Sequence, residues 1–323
     1  MTRRRSVCMT LMVIAAGTPP VLAAAEVYPS RQIELVVAYP AGGGIDTLAR
    51  MLAADLTGRL GQNVIVVNKP GAAGTIGSHY VAKARPDGHT LLLSGANAVL
   101  SPIVDGKTPF RISDFSPVAR VTETPYVLAA GLGLPARSVP ELVRYSHEHP
   151  GVVNYSSTGP GSVQHLLGAF LAKKTGSKWI HIPYQGGSQS ISEVAAGRIH
   201  VTFSNPIPLG PYLRDGRLKV LGMATDKRIP MLPDVPTLEE QGIADFDIKT
   251  WVGVLAPAGT PVEVRQKLSK ALVAVMAQPK IATSINEQGS LVSPMELDDF
   301  ARFLAQDHAR WVNIVKESGF TGD

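Results

Sequence analysis

Residues 33–60 read IELVVAYPAGGGIDTLARMLAADLTGRL, and three signals follow one another along them. Ile33–Tyr39 is a short apolar run rich in β-formers. Tyr39-Pro40-Ala41-Gly42-Gly43-Gly44-Ile45-Asp46 is a glycine turn. Leu48, Met51, Leu52, Leu56 and Leu60 then recur near the helical period, with Arg50, Asp55 and Arg59 on other faces, and Gly61 ends the helix. Working outward, Val64–Val67 reads as a strand and 68–77 as a glycine-rich loop. A short helix to about Lys83, a turn at Pro86-Asp87-Gly88 and a strand at Thr90–Leu93 come next. This βαβαβ order implies a parallel sheet covered by helices.

The rhythm restarts mid-chain. Tyr126–Ala130 reads as a strand, Pro140–His149 as a helix opened by proline, and Val152–Tyr155 as a strand. A second glycine turn, Tyr155-Ser156-Ser157-Thr158-Gly159-Pro160-Gly161-Ser162, leads into a helix whose apolar face is Val163, Leu166, Leu167, Phe170 and Leu171. Trp179–Ile182, Ile199–Phe203 and Leu218–Ala224 read as strands and Ser190–Ala196 as a short helix. The part after Pro261 is mainly helical, over Val262–Gln278 and Pro294–Ser318. Two similar α/β units result, with crossings near Val121–Pro125 and Met223–Asp226. Two crossings make a hinge and leave a cleft. The expected architecture is therefore α/β and two-lobed, each lobe a mostly parallel sheet flanked by helices. One lobe is discontinuous (26–124 plus 224–323) and the other is 125–223.

The chain of 323 residues is 45% hydrophobic and 18% charged, which excludes disorder as its main state. It has 31 basic and 26 acidic side chains. Three of the basic ones, Arg3, Arg4 and Arg5, stand in a stretch, 1–25, that has no acid. The rest is close to neutral, so a nucleic-acid surface is not expected. That same stretch has a positive start, an apolar run from Val7 to Gly17 too short to span a bilayer, and Ala23-Ala24-Ala25. It reads as a signal peptide cleaved near Ala25 for export to the periplasm of a Gram-negative bacterium. Cys8 is the one cysteine, so no internal disulfide can form.

The two glycine turns carry the chemistry. Each places backbone N–H groups at a helix N-terminus, where unpaired donors and partial positive charge bind anions without a cationic side chain. Two such starts facing one cleft suit a small organic acid. The first turn fits a dinucleotide fingerprint poorly, because Thr47 stands where the third glycine belongs. Asp46 either caps its helix with its carboxylate or orients a ligand or bound water. Ser162 reads as the matching cap of the second helix.

Seven segments carry a resemblance: AYPAGGGIDTLAR (38–50), GQNVIVVNKPGAAGTIG (61–77), RPDGHTLL (85–92), NYSSTGPGSVQHLLGAF (154–170), HIPYQGGSQS (181–190), LPDVPTLEEQG (232–242) and WVGVLAPAGTP (251–261). In this order they resemble the solute-binding proteins of the tripartite tricarboxylate transporters, the Bug family. The resemblance implies a periplasmic binding protein of type II-like, Venus-flytrap form that closes on a carboxylate and passes it to a membrane permease. It implies that both strand–turn–helix motifs grip one carboxylate, partly through ordered water. Ala41, Gly43, Gly44 and Asp46 would lie on one side and Ser157, Thr158, Gly161 and Ser162 on the other. Tyr39 replaces the family's usual phenylalanine, adding a hydroxyl to that wall. The implied protein is a monomer with no cofactor and no metal. A sensor kinase is the alternative partner, since the family includes members without an adjacent transporter.

Other residues have two readings each. Tyr184 and Gln185 line the cleft or form a structural turn, and Asn97 and Asn205 reach a ligand from strand ends or pack. His165 is a packing or cap-supporting residue one turn into the second helix. His147 and His149 flank a helix end and lack a ligand-spaced partner for a metal. Trp251 reads as core or hinge packing. An enzyme is the least favoured class, because no GxSxG elbow or paired carboxylates accompany the turns.

Overall fold

The computed structural model describes residues 28–321; the expected signal peptide lies outside them. The first run of elements is β1 (Ile33–Val37), α1 (Gly44–Leu60), β2 (Val64–Asn68), α2 (Thr75–Ala82), β3 (Thr90–Gly95), α3 (Asn97–Val104) and β4 (Phe115–Thr124). The second is β5 (Val127–Gly131), α4 (Val139–Glu148), β6 (Asn154–Ser157), α5 (Val163–Lys174), β7 (Ile180–Pro183), α6 (Gly187–Ala195), β8 (Val201–Ser204), α7 (Pro206–Arg214) and β9 (Leu218–Met223). The last is β10 (Thr250–Pro257), α8 (Val262–Met276), α9 (Pro279–Glu287), β11 (Leu291–Met295) and α10 (Leu297–Ser318). No helix among the described residues is long and apolar enough to cross a membrane.

Two sheets organise these elements, in strand orders β11-β4-β10-β3-β1-β2 and β7-β6-β8-β5-β9. Both are mixed, which corrects the expectation of mostly parallel sheets. Parallel pairing is confined to β2-β1-β3 and β7-β6-β8. The antiparallel pairs come from the strands by which the chain leaves and re-enters each sheet. Thr124, at the end of β4, pairs with Thr250 at the start of β10. Val127, at the start of β5, pairs with Met223 at the end of β9. Neighbouring strands that carry the chain out and back must run in opposite directions.

Burial follows the sequence periods. Leu48, Leu52, Leu56 and Leu60 of α1 are buried in one apolar cluster with β1, β10 and α8. The helix stops at Gly61, whose φ of 71° takes the left-handed form and whose N–H returns to the Thr57 carbonyl at 3.1 Å. A second cluster runs from one sheet to the other, through Leu92, Trp251, Phe300 and Trp311 to Leu166, Phe170 and Phe203. α10 packs against α3 and β4 and also against α5, so it bridges the two sheets. Each of the five apolar side chains on the α5 face contributes roughly 1.5–3 kcal/mol by leaving water. Truncating buried Leu167 to alanine should cost about 2–5 kcal/mol.

Three helices and three strands escape the sequence reading. α3 contains Pro102 and α7 contains Pro208 and Pro211 after Pro206. Pro206 opens its helix, whereas Pro102 and Pro211 stand inside theirs, where proline ordinarily argues against a helix and so masks the period. α9 also begins on a proline, Pro279. β4 and β10 are buried on both faces and show no alternation. β11 takes Pro294 as an edge strand, so α10 starts later than the sequence suggests.

Candidate functional site

β1 delivers the chain to the first turn. Gly42 adopts φ +82°, a backbone form that favours glycine. Gly43 is the N-cap residue of α1 and supplies no side-chain cap. Asp46, at the third helical position, reaches back instead to the turn ahead of the helix. Its Oδ2 accepts the Gly42 N–H at 2.9 Å and Arg50 Nε at 3.0 Å. Its Oδ1 accepts Arg50 Nη2 at 3.1 Å and Asn68 Nδ2 at 2.9 Å. Asn68 Nδ2 also lies 3.2 Å from the Tyr39 carbonyl, tying the end of β2 to the same turn. The Arg50 hydrogen bonds, then the Gly42 N–H and Asn68, hold the Asp46 carboxyl down at about 2. Both oxygens are engaged, by the Gly42 N–H, Arg50 and Asn68, and neither accepts a first-turn N–H of α1.

β6 delivers the chain to the second turn, where the partners differ. Ser162 is the N-cap residue of α5: its Oγ accepts the His165 N–H at 3.3 Å and donates to the Gly159 carbonyl at 2.7 Å. The Gly161 N–H donates to His165 Nδ1 at 3.1 Å. Ser157 Oγ accepts the Gly159 N–H at 3.0 Å and sits 2.6 Å from His181 Nε2. Gly161, at φ +71°, packs so tightly that a Cβ there would lie 2.4 Å from Val104 Cγ1 of α3 and 3.4 Å from Phe320.

The two helix starts open on two adjoining cavities. The first, about 570 Å³, is lined by Tyr39, Gly44 and Ile45 of the first turn, by Asn97 and Asn205, and by Thr122, Thr124, Thr250 and Trp251 of β4 and β10. The second, about 450 Å³, is lined by Thr158, Pro160, Gly161, Ser162 and Gln164, with Asn97 and Asp105. Asn97, Tyr126 and Val163 belong to both walls. Among the described residues no lysine or arginine lines either cavity, while Glu287 borders the first and Asp105 the second. Burial, with Tyr39 as a second cause, pushes the Tyr126 phenol up to about 12, so it stays a neutral hydroxyl. Burial also raises the Tyr39 phenol, against hydrogen bonds to Ser94 and Gly95.

The structure thus divides the twelve residues singled out from sequence. Tyr39, Gly44, Asn97 and Asn205 line the first cavity, and Thr158, Gly161 and Ser162, again with Asn97, line the second. Ala41, Gly43, Asp46, Ser157 and Tyr184 line neither. Asp46 and Ser157 are consumed in holding the turns, and the Tyr184 hydroxyl bonds Glu193 instead. The sequence reading missed Gln288 and Ser290, on the turn between α9 and β11, which form part of the first wall. A Cβ on Gly44 would come within 3.1 Å of Gln288 Oε1, so this side chain stands against the start of α1. Gly289, at φ +73°, allows that turn to press on Ile207 of α7. The Glu287-Gln288-Gly289 tripeptide carries no pattern that separates it from any helix end. Trp251 is core packing as expected, and the residue is also part of the cavity wall.

His147 and His149 bond backbone carbonyls of Thr175 and Tyr145 at 2.9 Å and 3.1 Å. Among the described residues no group of three or more His, Cys, Asp or Glu is placed to hold a metal. Ser157 and His181 form a serine–histidine contact, but Ser157 is fully buried and lines neither cavity.

Known proteins resemble this chain along most of its length. The family model described as "Tripartite tricarboxylate transporter family receptor" matches residues 48–320. Protein BugT of Bordetella pertussis is 31% identical over 322 residues, covering 99% of this chain and 98% of that one. A TctC solute binding protein from Polaromonas, solved with no ligand, is 32% identical with a TM-score of 0.80, covering 90% of this chain and 99% of that one. R. palustris Rpa4515, solved with adipate, is 31% identical with a TM-score of 0.76, covering 90% and 98% respectively.

Proposed function

This chain belongs to the tripartite tricarboxylate transporter receptor family, and we propose that it captures a small organic carboxylate between its lobes in the periplasm and delivers it to a membrane permease. As a member it is a solute-binding receptor of the periplasmic binding protein fold. The observation that carries the finer reading is the pair of helix starts, α1 and α5, opening on adjoining cavities bare of lysine and arginine among the described residues. The adipate bound in a relative supports the ligand class.

The first turn of each helix has N–H groups without intrahelical acceptors. Gly44 and Ile45 stand in the wall of the first cavity, Gln164 in that of the second and Val163 in both. An anionic end at either start is favoured by about 0.3–2 kcal/mol from the dipole. Micromolar binding needs about 8 kcal/mol, so hydrogen bonds and burial against Tyr126, Val163 and Trp251 supply the larger part. Asn97, Tyr126 and Val163, common to both walls, form the waist a ligand would cross. We place the lobes at 26–124 with 224–323 and at 125–223. The ligand drives closure by binding the closed form better; moving a 1:99 population to 99:1 takes about 5.5 kcal/mol.

The test is a thermal-shift screen of mono-, di- and tricarboxylates followed by calorimetry. A specific carboxylate should raise the melting temperature in a concentration-dependent way. Its binding should weaken when Val163 is replaced by tryptophan at the waist. No response to any carboxylate would refute the reading. Turnover of the bound acid on long incubation would make the protein an enzyme instead.

A further inference from the structure

The second turn rests on two rings stacked face to face. His165 and His181 have centroids 3.8 Å apart and an interplanar angle of 11°. One ring accepts the Gly161 N–H and the other meets the Ser157 hydroxyl, so the pair grips the turn at both ends. We propose that His165 and His181 are positioning residues that hold the second glycine turn in its anion-binding form only while both rings are neutral, so that mild acid releases the turn.

At His165 the hydrogen bond itself demands a neutral ring, and at His181 the stacking does. Nδ1 of His165 can accept the Gly161 N–H only without a proton of its own, which places the ring proton on Nε2. Protonation turns that acceptor into a donor facing a donor. A positive ring at the start of α5 is opposed by the helix dipole, and a second positive ring stacked on it by like charge.

The surroundings offer neither ring a counter-charge. β6 contributes Tyr155, whose phenol burial pushes up, and Ser157. β8 has no titratable side chain, and Phe320, just past the end of α10, lies against the edge of His165, with Lys316 and Glu317 exposed on the last turn of that helix. α3 contributes Val104 and the exposed Asp105, which borders the cavity. Burial lowers the His165 imidazole, and burial, then the neighbouring His165, lowers His181 to about 4. The folded form therefore prefers both rings uncharged.

The test uses the ¹⁵N-labelled protein and needs no ligand. Between about pH 7 and about pH 5 the protection factor of the Gly161 amide should fall by roughly tenfold or more, while that of Leu167, mid-helix, holds. In a His165→Asn, His181→Gln double variant, whose amides can pair with the Gly161 N–H and the Ser157 hydroxyl but cannot titrate, Gly161 protection should stay flat. An unchanged factor in the natural protein, or an equal fall in the variant, overturns the proposal. So does a ring that titrates at or above the ordinary histidine value in the folded protein. The consequence for binding rests on the carboxylate-capture reading and is measured calorimetrically with adipate. Affinity should weaken in acid, and tighter binding there overturns the proposal. Absence of adipate binding at both pH values counts against the capture of that acid, and amide exchange still decides the histidine role.

Discussion

At the first glycine turn a carboxylate holds the backbone; at the second, two uncharged imidazoles do. Asp46 is ionised and answered by Arg50, Asn68 and the Gly42 N–H, whereas His165 and His181 answer each other and the turn. Space differs too. A Cβ on Gly43 would meet only the Pro40 carbonyl, at 3.7 Å, while one on Gly161 would strike Val104. Two helix starts offer a ligand the same kind of donor, yet one is fastened by charge in an open turn and the other by aromatic contact in a crowded one. The geometry of a helix start does not dictate the chemistry that supports it.

The largest effect that would break this contrast is steric. Gly161→Leu adds left-handed strain and overpacking and should destabilise by about 2–5 kcal/mol in urea titrations. Gly43→Ala should stay within about 1 kcal/mol, and equal effects would end the distinction. Acidification comes next. A histidine whose folded value lies near 4, against 6.5 when free, binds fewer protons folded than unfolded between those values. Stability is thus full above about 6.5 and is lost as pH falls toward 4, by a few degrees of melting temperature. Asp46 behaves differently: its folded value near 2 against 3.8 confines its contribution to pH above about 4, with loss as pH falls through 2.

Asp46→Ala should lower the melting temperature by about 2–4 °C without altering the slope between pH 5 and 7. The smallest effect sharpens the assignment of the acid response. Buried Asp307 accepts the Trp251 indole N–H at 2.8 Å, and burial raises its carboxyl to about 6. Its titration therefore favours the folded state at low pH, opposite in sign to the histidines. Asp307→Asn keeps an acceptor and removes the buried charge, so it should raise stability at pH 7 while steepening the acid loss seen in calorimetric melts.

Much of this was legible in the residues. The strand–turn–helix units at 33–60 and 152–174 could be read because apolar period, glycine and cap fall in sequence order, and Ser162 caps as its position suggests. Prolines hid α3 and α7, and two-sided burial hid β4 and β10. At the site, the helix starts were legible but their division between two cavities was not, because it depends on how α3 and Tyr126 come between them. Gln288, Ser290 and Trp251 reach the wall from the far end of the chain, and local pattern carries no such distance. Asp46 and Ser157 share residue types with ligand-binding groups, and the hydrogen bonds that tie them to their turns are not visible in sequence.

The chain passes between its sheets twice, by unequal routes. Pro125 and Tyr126 alone separate β4 from β5, whereas the return from β9 to β10 is a long segment tied to itself by Arg228 with Glu240 and by Lys249 with Asp226 and Asp247. Any swing of one sheet against the other therefore has its fulcrum at the shorter link, where proline leaves little torsional slack. Tyr126 is part of that axle and also touches both cavities. A guest seated there would press on the pivot itself and need no remote lever to report its arrival.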